Sequence, residues 1–295
     1  MHFTSGFLAG VVFSALVSGQ TVSESVRGAA TDLLDASHIL HFLDIVDALG
    51  HVSVRNPDNA SEFFMTFAIA PAQATSQSIV KYEINNATAV DLPFDLNATT
   101  IPTSFSERFI HSEIYKKFSD VHAVVHAHTQ AVLPFANVRN VPFVAQISTA
   151  PSVGQHAPIF DFSGLPKKVL VGDTLSDFLV RDELLGDALA NTFEPASDVV
   201  LMTNHGMAVR GPSIRQVVFS AFYIMQNAQV QLQSLMLSGG RAPEALNAKE
   251  ITDCKTTADT SLFPRAWNLW TKQVDLNPLY VNDLRNGAPP SATGF

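Results

Sequence analysis

The sequence predicts an α/β fold in which a mainly antiparallel sheet is covered by helices. Short apolar or β-branched runs between residues 52 and 92 are separated by Asn-, Pro- and Ser-rich turns at hairpin spacing. Segments with helical period collect before and after them. The 295 residues are 46% hydrophobic, enough for one large domain to bury its core without staples.

In chain order, residues 31–49 read as a helix with Leu33, Leu34, Ile39, Leu40, Leu43, Ile45 and Val46 on its apolar side. Residues 52–54, 63–69, 79–84 and 88–92 follow as strands. Residues 106–118 form an amphipathic helix, with Phe109, Ile110, Ile114 and Phe118 at helical spacing and Ser104 or Ser106 as N-cap. Residues 121–129 are a β-branched strand, and 143–147 and 169–171 two short ones. Residues 177–191 read as helix. Residues 199–203 read as a strand ending at His205, with 207–209 its continuation. A long helix over 213–237 stops at Gly239-Gly240.

The strand at 121–129 carries His126 and His128. Side chains two apart leave the same face of a strand, so both imidazoles can reach one ion. A third His on another element, His205 in Asn204-His205-Gly206, completes a three-imidazole set with an open position, the arrangement of a catalytic rather than a structural metal. His122 is excluded, because four residues place it roughly 13 Å along the strand. Glu107 opens the preceding helix, where the dipole favours a carboxylate, with His111 one turn further on the same side. That helix runs straight into the His126 strand and can bring Glu107 over the metal.

These segments resemble the class II aldolase/adducin family: Ser-Glu-Arg-Phe-Ile-His at 106–111, Ala-Val-Val-His-Ala-His-Thr at 123–129, Leu-Met-Thr-Asn-His-Gly-Met at 201–207, and Gly-His-Val-Ser-Val-Arg-Asn-Pro at 50–57. The last is similar to the opening of the adducin-like branch. The resemblance spans roughly residues 30–240. It implies a three-layer αβα domain, commonly assembled as a homotetramer with active sites between subunits. It also implies a divalent ion on His126, His128 and His205, with Zn²⁺ favoured and Fe²⁺, Co²⁺ or Mn²⁺ as alternatives. Glu107 is then the catalytic base and His111 no ligand. The metal acts as a Lewis acid stabilising an enediolate. The expected activity is that of a lyase cleaving an aldol bond. Dehydration, epimerisation, decarboxylation or oxygenation on the same site is the alternative, and a non-catalytic adducin-like module the second.

Phosphate-binding members place small polar residues where this chain has His51, Pro71-Ala72 and Phe105-Ser106. Ser53, Arg55 and Ser106 remain as candidate substrate contacts. The resemblance therefore implies a non-phosphorylated hydroxy-carbonyl or hydroxy-acid substrate. Phe135, Phe160, Phe162, Trp267, Trp270 and Tyr280 are available to line its pocket, or to fill the core.

The formal charge of −9 argues against nucleic acid or an anionic membrane as partner, leaving a small molecule and a second copy of the chain. Residues 1–19 read as a signal peptide, since the apolar run from Phe7 to Val17 is too short to span a bilayer. Residues 20–285 form the single domain and 286–295 a loose tail. Sequons at Asn59, Asn86 and Asn97 agree with a secreted glycoprotein. Cys254 is the only cysteine, so no intramolecular disulfide forms, and the thiol is expected to be buried.

Overall fold

The structure, a computed structural model, describes residues 22–95, 97–170 and 175–285. The expected signal peptide and tail lie outside them. Eight strands form one sheet in the order β4-β3-β2-β1-β5-β8-β7-β6. They are β1 (His51–Arg55), β2 (Glu62–Thr66), β3 (Ile79–Glu83), β4 (Ala89–Asp91), β5 (Ala123–Ala127), β6 (Ile159–Phe160), β7 (Val199–Met202) and β8 (Gly206–Gly211). Every pairing is antiparallel except β6 with β7.

Alternation along the strands separates two cores. Val52, Phe64, Val125, Leu201 and Val209 face one layer of helices, α1 (Glu24–Phe42), α5 (Ile214–Leu237) and α7 (Phe263–Asp275). Phe63, Met65, Val124, Val200 and Ala208 face the other, α2 (Arg108–Lys117) and α4 (Glu183–Thr192). The three-layer αβα arrangement follows directly from that period of two.

Several expected elements differ. The first helix starts at Glu24, capped by the Ser23 hydroxyl on Val26 N–H, and stops at Phe42. Ile45 and Val46 are still buried, but in a turn where Asp44 has φ 56° and both their amides donate to Leu40 O. Neither Ser104 nor Ser106 caps α2. Glu107 occupies that position and makes no capping bond. Residues 143–147 are not a strand, because amide side chains of α5 take the place of a ladder. Val144 N–H donates to Gln231 Oε1, Gln146 and Ile147 N–H donate to Asn227 Oδ1, and Asn227 returns a bond to Val144 O.

Val169 and Leu170 lie in turns closed on Pro166 and Lys167. The helix expected over 177–191 starts only at Glu183, after Asp182 caps it. β8 does not continue β7 but folds back on it as a hairpin, with Val200 opposite Ala208. α3 (Leu133–Asn137), β6, α6 (Ala248–Thr257) and α7 were not expected. Cys254 lies on α6, partly exposed rather than buried. No helix among the described residues is long and apolar enough to cross a membrane.

Candidate metal centre

His126 stands near the end of β5 on the face that meets α2 and α4, and His128 follows just past the strand. Their Nε2 atoms lie 2.9 Å apart, and His128 Nε2 lies 3.0 Å from His205 Nε2. His205 arrives from the β7–β8 turn, which Asn204 makes possible with φ 55° and anchors through its N–H on Asn137 Oδ1. Gly206 lets that turn approach. A Cβ there would sit 2.1 Å from Ala127 O, at the strand end that presents both other imidazoles.

Glu107 closes the group from the N-terminus of α2. Its Oε2 is 3.4 Å from His126 Nε2 and 4.0 Å from His128 Nε2, and its Oε1 is 3.5 Å from His205 Nε2. Val180 N–H donates to Oε1 at 3.0 Å and fixes the carboxylate's aim. All four ligand atoms lie within 4.8 Å of one another.

The donor chemistry fits a divalent cation. His126 Nδ1–H donates to Met207 O at 3.1 Å, which leaves the Nε2 lone pair turned to the group. Burial, then the neighbouring His126 and His205, lower the His128 pKa to about 4, so this imidazole is neutral at pH 7. Burial works to raise the Glu107 pKa, but His126 and His205 outweigh it and hold the carboxyl well below its ordinary range. Converging imidazole lone pairs beside an ionised carboxylate offer a divalent cation several Lewis-basic atoms at once. His₃ with a nearby carboxylate and no thiolate suits Zn²⁺, and hard or borderline ions after it.

The other expected contacts are placed differently. Ser53 is fully buried, and its hydroxyl is engaged by His111 Nδ1 and Tyr115 Oη, each at 2.7 Å. Arg55 is held by the carbonyls of Val121, Ala60, Tyr115 and Phe118, at the end of β1 away from His51. Both side chains are engaged within the protein. Ser106 is an exposed turn residue. Phe135, Phe160, Trp267 and Trp270 fill the core. Phe162 has its ring 6.2 Å from His205, and Tyr280 bonds His41 at 3.0 Å.

A residue the sequence reading treated only as a departure lies at the centre. His51 pairs opposite His126 across β1 and β5, with ring centroids 5.1 Å apart, and its Nδ1 is 2.7 Å from His111 Nε2. Its position on the same strand face as Ser53 was the available signal. Beside His128, whose side chain is 25% exposed, a cavity of about 550 Å³ opens between the turn after α1 and helix α5. Asp44, Asp47, Gln130, Gln226 and Gln229 line it, and among the described residues no lysine or arginine does.

The Class II Aldolase and Adducin N-terminal domain matches residues 31–232. Decarboxylase tropJ of Talaromyces stipitatus is 35% identical over 265 residues, covering 84% of this chain and 95% of that protein. Alpha-adducin of Rattus norvegicus is 21% identical over 250 residues, and the match spans 31% of its length. An aldolase II superfamily protein from Pseudomonas syringae superposes with a TM-score of 0.66 at 18% identity, over 88% of this chain and 96% of that one. L-fuculose 1-phosphate aldolase from Glaciozyma antarctica does so at 0.65 and 17%, over 87% and 92%. With residues 31–232 inside the domain match and a 35% identical relative covered over 95% of its length, this chain belongs to the class II aldolase and adducin family.

Proposed function

We propose that the protein is a metal-dependent carbon–carbon lyase, and that the bond it breaks is the one to a carboxylate of a non-phosphorylated hydroxy- or keto-acid. The observation that carries this is the convergence of His126, His128 and His205 Nε2 under the Glu107 carboxylate. His126, His128 and His205 would hold the ion, Zn²⁺ in our reading. A divalent ion supplies positive charge beside the electron pair that a departing carbon leaves behind. Glu107 takes a proton from water or a substrate hydroxyl and returns it to the substrate carbon. The C–COO⁻ bond breaks, CO₂ leaves, and the pair it leaves behind takes up that proton.

The 35% identity to a decarboxylase favours this over aldol cleavage, which the same groups can also perform. Substrate enters by the cavity beside His128. A phosphate ester is disfavoured by that cavity, which holds two aspartates and, among the described residues, no lysine or arginine. His51, Pro71 and Ala72 are buried, and Phe105 packs 4.6 Å from the His51 ring.

The experiment is a screen of hydroxy- and keto-acids with zinc- or iron-loaded protein, reading CO₂ and aldehyde separately, with His128→Ala as control. CO₂ release that disappears with the metal in His128→Ala is the expected result. Aldehyde in place of CO₂ assigns retro-aldol cleavage, and equal turnover in the metal-free control removes the metal from the mechanism. Phosphoglycolate and dihydroxyacetone phosphate should bind no better than about millimolar.

A further inference from the structure

A buried file of polar side chains runs from Tyr115 to the metal centre. Tyr115 Oη meets Ser53 Oγ at 2.7 Å, Ser53 Oγ meets His111 Nδ1 at 2.7 Å, and His111 Nε2 meets His51 Nδ1 at 2.7 Å. All four residues are buried. The Ser53 hydroxyl has one proton and two buried partners, so if it accepts from one of them its own proton goes to the other, and the links then run one way.

Tyr115 sets the direction. Burial raises its pKa, so it keeps its proton, and Val124 N–H faces the phenol oxygen from the strand. Ser53 Oγ is the acceptor in hydrogen-bond reach of that proton. Ser53, accepting from Tyr115, donates to His111 Nδ1. Burial lowers the His111 pKa to about 3, so the ring is neutral and its single proton sits on Nε2. That proton goes to His51 Nδ1, and the proton of His51 must then be on Nε2, on the side of the ring away from His111. The His51 ring lies between those of His111, at 4.9 Å, and His126, at 5.1 Å.

We propose that His51 is a substrate-positioning hydrogen-bond donor of the metal centre, held as the Nε2–H tautomer by the one-way chain Tyr115→Ser53→His111→His51. The assignment rests on the lyase reading for its purpose but not for its test. An N–H beside His126 favours an oxygen that gains negative charge when a carbon–carbon bond breaks next to the ion.

The test uses the full chain loaded with zinc and labelled with ¹⁵N-histidine. Long-range proton–nitrogen spectra should show His51 protonated at Nε2 and bare at Nδ1. A His51 protonated at Nδ1, or at both nitrogens, at neutral pH overturns the proposal. Tyr115→Phe removes the proton that fixes the direction, and should give His51 a mixture of tautomers. A single unchanged Nε2–H tautomer in that variant overturns the chain as its cause.

Acetohydroxamate, a small chelator of bound zinc, reads the donor itself. His51→Ala should weaken it about ten-fold at unchanged zinc content, a loss of the size expected for one hydrogen bond. His51→Gln keeps an N–H at that place and should stay within about two-fold of the parent. A glutamine variant as weak as the alanine variant overturns the donor role. Loss of zinc from the parent protein would instead sink the lyase reading, while the tautomer remains measurable.

Discussion

At Glu107 the charge is maintained against burial by partners that arrive from three other segments: His126 and His128, His205, and Val180 N–H. Replacing it by Gln keeps the shape and removes the proton acceptor. Metal content should be unchanged and turnover lower by roughly 10²-fold or more, measured as kcat with metal analysis on the same sample. Near-parental kcat would place the base elsewhere. His38 supports a different prediction. Its Nε2–H donates to Ala74 O at 3.0 Å, and burial lowers its pKa to about 4. The unfolded chain takes up this proton near pH 6.5 and the folded chain only near 4, so stability is lost as pH falls through that window, by roughly 3 kcal/mol. Asp35, raised to about 6 by burial, acts with the opposite sign as pH rises, so the parent curve alone hides the effect. His38→Gln keeps the bond to Ala74. Its stability in urea, relative to the parent, should rise between pH 6.5 and 4, and a flat difference would show that His38 does not titrate there. The grouping of the histidines with Glu107 was legible because strand alternation sets His126 and His128 on one face and the helix that Glu107 opens runs straight into that strand. The bonds that engage Ser53 and Arg55 were not legible, because all but one of their partners lie 58 to 66 residues away, and sequence alone does not say which way a buried hydroxyl turns.

At the level of elements, what the period of two or 3.6 shows directly was readable, and what a partner element imposes was not. β1, β3 and the long α5 follow their hydrophobic patterns. Residues 143–147 have a strand's composition, yet Asn227 and Gln231 of α5 satisfy their amides in place of a neighbouring strand. The β7–β8 hairpin looked continuous because Thr203-Asn204-His205 lacks a two-residue Asn-Gly signal, and the left-handed Asn204 makes the turn alone. The close approach at Gly206 makes this hairpin sensitive. Gly206→Ala must push β8 or the Ala127–His128 strand end aside, since the new Cβ would lie 2.1 Å from Ala127 O. Zinc affinity should fall by roughly 10- to 100-fold with a stability cost of about 1–3 kcal/mol. Parental zinc affinity measured by competition with a chelator would show that the strand end yields without moving its imidazoles.

On the scale of the whole molecule, the two ends of the sheet carry different chemistry. His51 starts β1 and sits opposite His126, so the metal centre lies at that end. The β1–β2 and β3–β4 turns lie at the other end, because β2 runs back along β1 and β3 back along β2. Asn59 and Asn86 occupy those two turns, both exposed, about four residues or roughly 13 Å from the His51 level. Asn97, also exposed, follows the edge strand β4. Exposed apolar side chains at Met236 and Leu237 are 74% and 91% accessible. We propose that they serve the homotetramer the family resemblance implies, which light scattering should report as four copies. Glycans at the turns would shield neither the cavity beside His128 nor the end of α5. We therefore expect the protein to enter the secretory pathway, lose residues 1–19 and carry N-glycans on at least one of Asn59, Asn86 and Asn97, with unchanged metal content after glycosidase treatment. Intact-mass measurement of secreted protein decides this. A chain that still begins at Met1 and shows no mass shift with glycosidase rules out both the leader and the glycans.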